Sequence, residues 1–200
     1  MATAPSYVTG ASYTLASNLV TYNNNFTVSD QENSILFVAK YTNSGSITAI
    51  TYDGAAMTLL GSAGTLQVYY LKSPSVGTNT LSISVSNQYG EYSVTVAQYK
   101  DCNIGDPFRG SATTNSSATT ITVTSGDDDR VYYAGGHFSA TAPSASSLTQ
   151  RQAASANNRR CYCGDAAGAS PSDTAGWTPT GARLGISLKP KGGFLPIIWL

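Results

Sequence analysis

Apolar residues in this chain recur with a period of two, which sends alternate side chains to opposite faces of a β-strand. Leu81, Ile83 and Val85 alternate with Thr80, Ser82 and Ser84, and Tyr92, Val94, Val96 and Gln98 alternate with Ser93, Thr95, Ala97 and Tyr99. Leu184, Ile186 and Leu188 share one face of the segment Ala182–Leu188, and Ile121 and Val123 form the inward pair of Thr119–Thr124. The run Ile35-Leu36-Phe37-Val38-Ala39 breaks the alternation and predicts a central strand covered on both faces. Further strands are predicted over Ile47–Tyr52, Met57–Ser62, Leu66–Lys72 and Arg130–Ala134. No stretch calls for a helix longer than a turn.

Turn signals follow one another at short intervals, at Asn23–Asn25, Asn43–Gly45, Asp53-Gly54, Ser62–Gly64, Pro74–Gly77 and Asn87–Gly90, as they do between successive short strands. Asp106-Pro107 and Asp127–Asp129 mark further breaks. Residues 139–175 are rich in Ala, Ser and Gly, which predicts long loops with short strands at Leu148–Arg151 and Arg160–Cys163. Pro190 ends the last strand because proline cannot continue a ladder. The predicted organisation is an N-terminal arm over 1–24, adding one strand near Tyr13–Tyr22, a β-sandwich domain over 25–190, and an apolar C-terminal tail over 191–200.

Composition narrows the class. Charged residues make up 11% of the 200, against roughly a quarter in ordinary soluble proteins. Ser, Thr, Asn, Gly and 13 Tyr take their place, a polar but uncharged surface typical of extracellular and virion β-proteins. With a formal net charge of zero there is no field to attract a phosphate backbone or an anionic membrane, so no nucleic-acid partner is expected. Low net charge also favours a protein that lives within an assembly. Residues 1–10 have neither the basic region nor the apolar core of a Sec-type signal, and no run of about eighteen apolar residues predicts membrane insertion. Three cysteines, Cys102, Cys161 and Cys163, are an odd count. The last two fall on the same strand face and are poorly placed to pair with each other, so at most one disulfide, to Cys102, is open to them; three free thiols of a protein made in a reducing cytosol is the favoured reading.

The order of several motifs resembles a β-sandwich domain that recurs in phage virion proteins and in bacterial or metagenomic surface proteins. They are Ile50-Thr-Tyr-Asp-Gly-Ala-Ala-Met-Thr-Leu-Leu-Gly-Ser62, Val68-Tyr-Tyr-Leu-Lys-Ser-Pro-Ser-Val-Gly-Thr-Asn-Thr-Leu81, Leu148-Thr-Gln-Arg151, Gly176-Trp-Thr178 and Gly185-Ile-Ser-Leu-Lys-Pro190. The resemblance spans roughly residues 25–190 and is more specific in its first half. It implies an all-β, antiparallel, jelly-roll-like β-sandwich used as a display or structural module, and it carries over no catalytic residues. Arg159-Arg160-Cys161-Tyr162-Cys163 and the acidic triplet Asp127–Asp129 depart from its pattern.

Candidate chemistry is sparse. His137, the single histidine, follows Gly135-Gly136 without metal-ligand spacing and reads as structural or surface. Asp127–Asp129 reads as a solvated turn before a calcium site, because three consecutive acids cannot all reach one ion. Asn25-Phe-Thr27 and Asn115-Ser-Ser117 fit the glycosylation pattern but read as incidental without a secretory signal. Arg151, Arg159 and Arg160 form too small a basic cluster for nucleic acid. No catalytic residue, cofactor or metal is expected. Tyr69, Tyr70, Tyr132, Tyr133 and Trp177 are candidates for stacking on a surface glycan, although alternation sends one ring of each Tyr-Tyr pair inward. The best-motivated feature is the tail, Phe194, Leu195, Pro196, Ile197, Ile198, Trp199 and Leu200. Burying its large side chains is worth on the order of 1.5–3 kcal/mol each, so docking on a neighbouring subunit or on its own sandwich is expected. The expected function is that of a non-enzymatic structural virion protein, of capsid-surface, decoration or fibre type, binding other subunits or itself as a homo-oligomer and located in the virion after synthesis in the host cytoplasm. The alternative is a carbohydrate-binding or adhesin module at a cell or virion surface.

Overall fold

A computed structural model of the chain describes residues 3–15, 19–30, 32–42, 45–86 and 91–192. These residues form fifteen strands and no helix. The first half comprises β1 (Ser6–Leu15), β2 (Thr21–Val28), β3 (Ile35–Tyr41), β4 (Ile47–Tyr52), β5 (Ala55–Ala56), β6 (Thr58–Ala63), β7 (Leu66–Lys72), β8 (Gly77–Val85) and β9 (Tyr92–Lys100). The second comprises β10 (Thr113–Thr124), β11 (Arg130–Phe138), β12 (Ser144–Ser146), β13 (Thr149–Ala156), β14 (Arg159–Ala167) and β15 (Ser172–Leu188).

The strands pair antiparallel in three sheets, ordered β1-β9-β3-β7-β6, β2-β8-β4-β5 and β10-β15-β11-β14-β13, with β12 added on β15. The first of these is the middle layer. Leu36 and Val38 point with Val94 and Val96 into a core shared with Tyr22, Phe26, Ile50, Tyr52, Leu81 and Ile83 of the four-stranded sheet. Ile35, Phe37 and Ala39 point the other way and pack with Tyr132, Ala134, Leu184 and Ile186 of the large sheet. The continuous apolar run is therefore explained by a strand with protein on both faces. Leu81, Ile83 and Val85 are buried with half-exposed neighbours between them, as alternation predicts for an outer sheet.

A third apolar cluster lies on the far face of the large sheet. The β10–β15 ribbon shifts register between Asn115 and Ala118 and again between Ala118 and Thr120, and such bulges let a ribbon bend. Its distal half carries Ile121, Val123, Ala175 and Trp177 onto Val131, Tyr133 and Tyr162. Contact is close: a Cβ on Gly185 would meet Val123 Cγ2 at 2.5 Å, so only glycine admits the ribbon there.

Several sequence expectations are revised. The expected all-β, antiparallel sandwich takes the form of a stack of three sheets. Residues 6–15 are not an arm: β1 pairs with β9 from Ser6 to Leu15. Asn23–Asn25 is not a turn but the middle of β2, paired in turn with Ser82, Leu81 and Thr80 of β8. Residues 139–175 form strands rather than long loops, with β13 and β14 joined at Asn157-Asn158, both at positive φ, where Asn is favoured. Their small residues reflect close approach; a Cβ on Gly164 would lie 2.5 Å from the Thr149 carbonyl.

Candidate functional site: buried polar centres and open edges

The buried carboxylates, His137 and Arg183 are tied into hydrogen bonds that link strands and sheets. The Asp165 carboxylate on β14 is fully buried. Arg151 donates to it through Nε (2.6 Å) and Nη2 (3.2 Å), Arg130 through Nη1 (3.3 Å), and the Tyr99 hydroxyl at 3.0 Å. Burial first, then the Asp165 charge, drives the Tyr99 hydroxyl well above its ordinary pKa, so it stays a proton donor. Because Tyr99 is on β9 and Arg151 on β13, this cluster clamps the middle sheet to the large one.

Asp129 makes the second centre and departs from the solvated-turn expectation, which holds for the exposed Asp127 and Asp128. It accepts from Arg109 Nε (2.5 Å) and Nη2 (3.0 Å), the Gly126 N–H (2.9 Å) and the Ser187 hydroxyl (2.6 Å), with its side chain fully buried. Burial alone would raise its pKa, but these hydrogen bonds and the Arg109 charge outweigh it and hold the carboxyl below its usual value. Asp127 accepts from the Ser170 N–H instead. The acids are thus divided between separate tasks, and among the described residues no group of three or more His, Cys, Asp and Glu is placed to hold a metal.

His137 belongs to the third centre. Its Nε2 lies 3.1 Å from the Thr141 carbonyl, which can only accept, so Nε2 carries the proton. Nδ1 then accepts from the Tyr162 hydroxyl at 3.0 Å, and that oxygen accepts from Arg183 Nη1 at 2.7 Å. Arg183 is wholly buried and also donates to the carbonyls of Trp177 (2.7 Å), Pro179 (2.6 Å) and Ala182 (2.8 Å). It fastens the segment where β15 passes from one half of the ribbon to the other. Burial lowers the His137 pKa, and the nearby Arg183 and Arg160 charges act in the same direction.

The three thiols are unpaired and buried, with none bridged to Cys102. Cys161 and Cys163 share the core between the middle and large sheets with Cys102. Burial pushes each thiol up to about 12, which suppresses the thiolate that reacts. Lys40, also buried, donates to the Gly45 carbonyl and Gln67 Oε1, and burial lowers it to about 8.

The proposed glycan platform is not available in this arrangement. Tyr132, Tyr133, Trp177 and Tyr69 are all in cores, and Tyr70 packs edge-on against Phe108 at 4.9 Å. The rule that one ring of each pair faces outward fails because these sheets are covered on both sides. Tyr132 stacks on Phe37 at 4.3 Å, while Tyr133 packs under the folded ribbon. The tail residues Phe194–Leu200 lie outside the described residues.

What the chain offers outward is sheet surface. Two open depressions have volumes of about 570 Å³, lined by Glu32, Asn33, Ser73 and Ile104, and about 280 Å³, beside Arg130, Leu148 and Asp165. Among the described residues no helix is long and apolar enough to cross a membrane. No known family model, curated protein or solved structure matches the chain.

Proposed function

We propose that this chain is a non-enzymatic structural component of a virion, of capsid-surface, decoration or fibre type, that works through contacts with other subunits. Strand order carries the reading. With β5 and β6 taken as one strand that crosses between sheets, the orders β1-β9-β3-β7 and β2-β8-β4-β5 follow the jelly-roll path, in which eight strands wind as two Greek keys. Viral capsid proteins are a major user of that path. The large sheet then forms an added layer on one face of the roll.

The chemistry of the interior supports the same reading. Groups that could serve as acid, base or nucleophile are drawn into structural hydrogen bonds: His137 between Tyr162 and Thr141, Asp165 and Asp129 among arginines, and the thiols within a core. Buried, unpaired thiols also suit synthesis in a reducing cytosol. The apolar tail is the proposed second contact element, and truncation after Lys191 should then abolish assembly while leaving the fold intact. Direct support would come from a density gradient of lysate from the producing host. The chain should band with particles and be labelled on them by antibody in electron micrographs; recovery only at the top of the gradient, or reproducible turnover in a substrate screen, would contradict the proposal.

A further inference from the structure

A sheet edge left open is a template for another strand, so folded proteins blunt their edges with bulges, charges, proline or cover. Six of the seven edge strands among the described residues are blunted. β1 shifts register between Tyr7 and Thr9 and is covered by β13, through Gln152 Nε2 to Tyr7 Oη and Thr14 Oγ1 to the Ser155 carbonyl, both at 3.0 Å. β6, β10 and β13 each carry a register shift, and β5 and β12 are two and three residues long. β2 differs. It pairs with β8 over eight residues without a shift and contains no charge and no proline.

The ladder fixes which groups face the open side. The Val85 N–H donates to the Val20 carbonyl, so even-numbered residues of β2 bond to β8, and Thr21, Asn23, Asn25 and Thr27 direct their N–H and C=O groups outward. All four residues are exposed. The sequence across this edge is Val20-Thr-Tyr-Asn-Asn-Asn-Phe-Thr-Val28, which reads the same by residue class in either direction about Asn24. An antiparallel strand of identical sequence centred on Asn24 therefore sets Asn23 against Asn25, Thr21 against Thr27, Tyr22 against Phe26 and Val20 against Val28. That register also makes the outward-facing odd residues the hydrogen-bonded pairs. Asn24 supplies a separate observation, since its side-chain Nδ2 is buried without a hydrogen-bond partner among the described residues. On a twofold axis, rotation of this carboxamide toward the open edge would bring it to that of its own copy, which has an acceptor to offer.

We propose that two copies of this chain join edge to edge through β2, antiparallel about a twofold axis at Asn24, merging their four-stranded sheets into one of eight strands. This rests on the subunit-binding reading above and names the partner. The strand's lack of charge means that nothing repels an identical edge. One existing bond must be exchanged, because the outward Asn25 carbonyl accepts from the Tyr13 hydroxyl at 2.9 Å and would accept the Asn23 N–H of the second copy instead.

Sedimentation equilibrium of the full chain from micromolar to millimolar concentration, together with two variants, tests the pairing. The native chain should reach twice its monomer mass or an even multiple of it. The double variant Asn23→Lys with Asn25→Lys sets lysine against lysine twice and should sediment at half the native mass. Asn24→Cys should cross-link to itself under mild oxidation, since opposed residues at a non-hydrogen-bonded site sit about 4.5 Å apart at Cα, within disulfide range. Thr122→Cys on exposed β10 should not. If the lysine variant does not fold, the cysteine cross-link decides alone. A native chain that is monomeric throughout overturns the proposal, as does an absent Asn24→Cys cross-link. An oligomer indifferent to the lysines overturns it while leaving subunit binding intact; absence from the particle fraction strikes instead at the function itself.

Discussion

Replacing Phe37 by alanine should destabilise the protein more than an equivalent truncation at the surface, because Phe37 stands where the middle and large sheets meet. Its ring is wholly buried, stacked on Tyr132 at 4.3 Å with 8° between planes, edge-on to Tyr99 at 6.0 Å and tilted against Phe108 at 6.3 Å. Truncating a buried Phe costs about 3–5 kcal/mol through lost transfer energy and the cavity left behind. Stacking on Tyr132 places this site toward the upper end, since aromatic pairs contribute about 0.5–1.5 kcal/mol beyond area. For a chain of this size each kcal/mol moves Tm by roughly 2–4 °C, which predicts a fall of about 6–20 °C. Phe138 is the control, since it is 63% exposed, and its truncation should stay within about 0.5 kcal/mol. Urea titrations followed by far-ultraviolet circular dichroism measure both. Equal losses for the two variants, or a Phe37→Ala loss under about 1 kcal/mol on the scale of surface changes, would refute a middle sheet packed on both faces.

Four further outcomes follow from the polar centres and the buried thiols. Asp129→Ala leaves the buried Ser187 hydroxyl and the Gly126 N–H without their acceptor and should cost about 3–5 kcal/mol, read as a lower urea midpoint; discounting for the partly exposed Arg109 favours the lower end. Because the folded Asp129 pKa lies below the unfolded value, its contribution is complete above about pH 4 and is lost as pH falls through the folded pKa, so Asp129→Asn should flatten the acid limb of a Tm-against-pH curve. His137 acts with the same sign from a different window: its folded pKa is lowered, so the unfolded chain binds more protons below about pH 6.5 and stability falls as pH drops through that range. His137→Gln, which can still accept from Tyr162 and donate to Thr141, should remove that part of the slope; an unchanged slope would exclude His137 as its source. Finally, the thiols should react with a disulfide reagent only on unfolding, with all three titrating in denaturant and little before it.

The period of two made most strands of the first half legible, and the unbroken run from Ile35 to Ala39 correctly marked the strand covered on both faces. Strand identity is a local property, but layer number is not. Nothing near Val131–Ala134 reveals that Tyr132 faces one core and Tyr133 another, because the covering ribbon comes from Ile121, Val123 and Trp177. Residues 139–175 read as loops because bulky anchors are scarce, whereas tight approach at Gly164 and Gly168 requires small residues. The Asn23–Asn25 triplet misled by composition, although Tyr22, Asn24, Phe26 and Val28 already alternate with Asn23, Asn25 and Thr27. Arg109 and Asp129 are twenty positions apart, and only the fold brings them together.

Protection of backbone amides against exchange with deuterated solvent probes the layered arrangement most directly. Amides of β3 and β9, enclosed between two cores, should exchange only through global unfolding, with opening free energies matching the urea value, while β10 and β13, at the edges of the large sheet, exchange sooner. Exchange in β3 as fast as in those outer strands would contradict a molecule organised around its middle sheet.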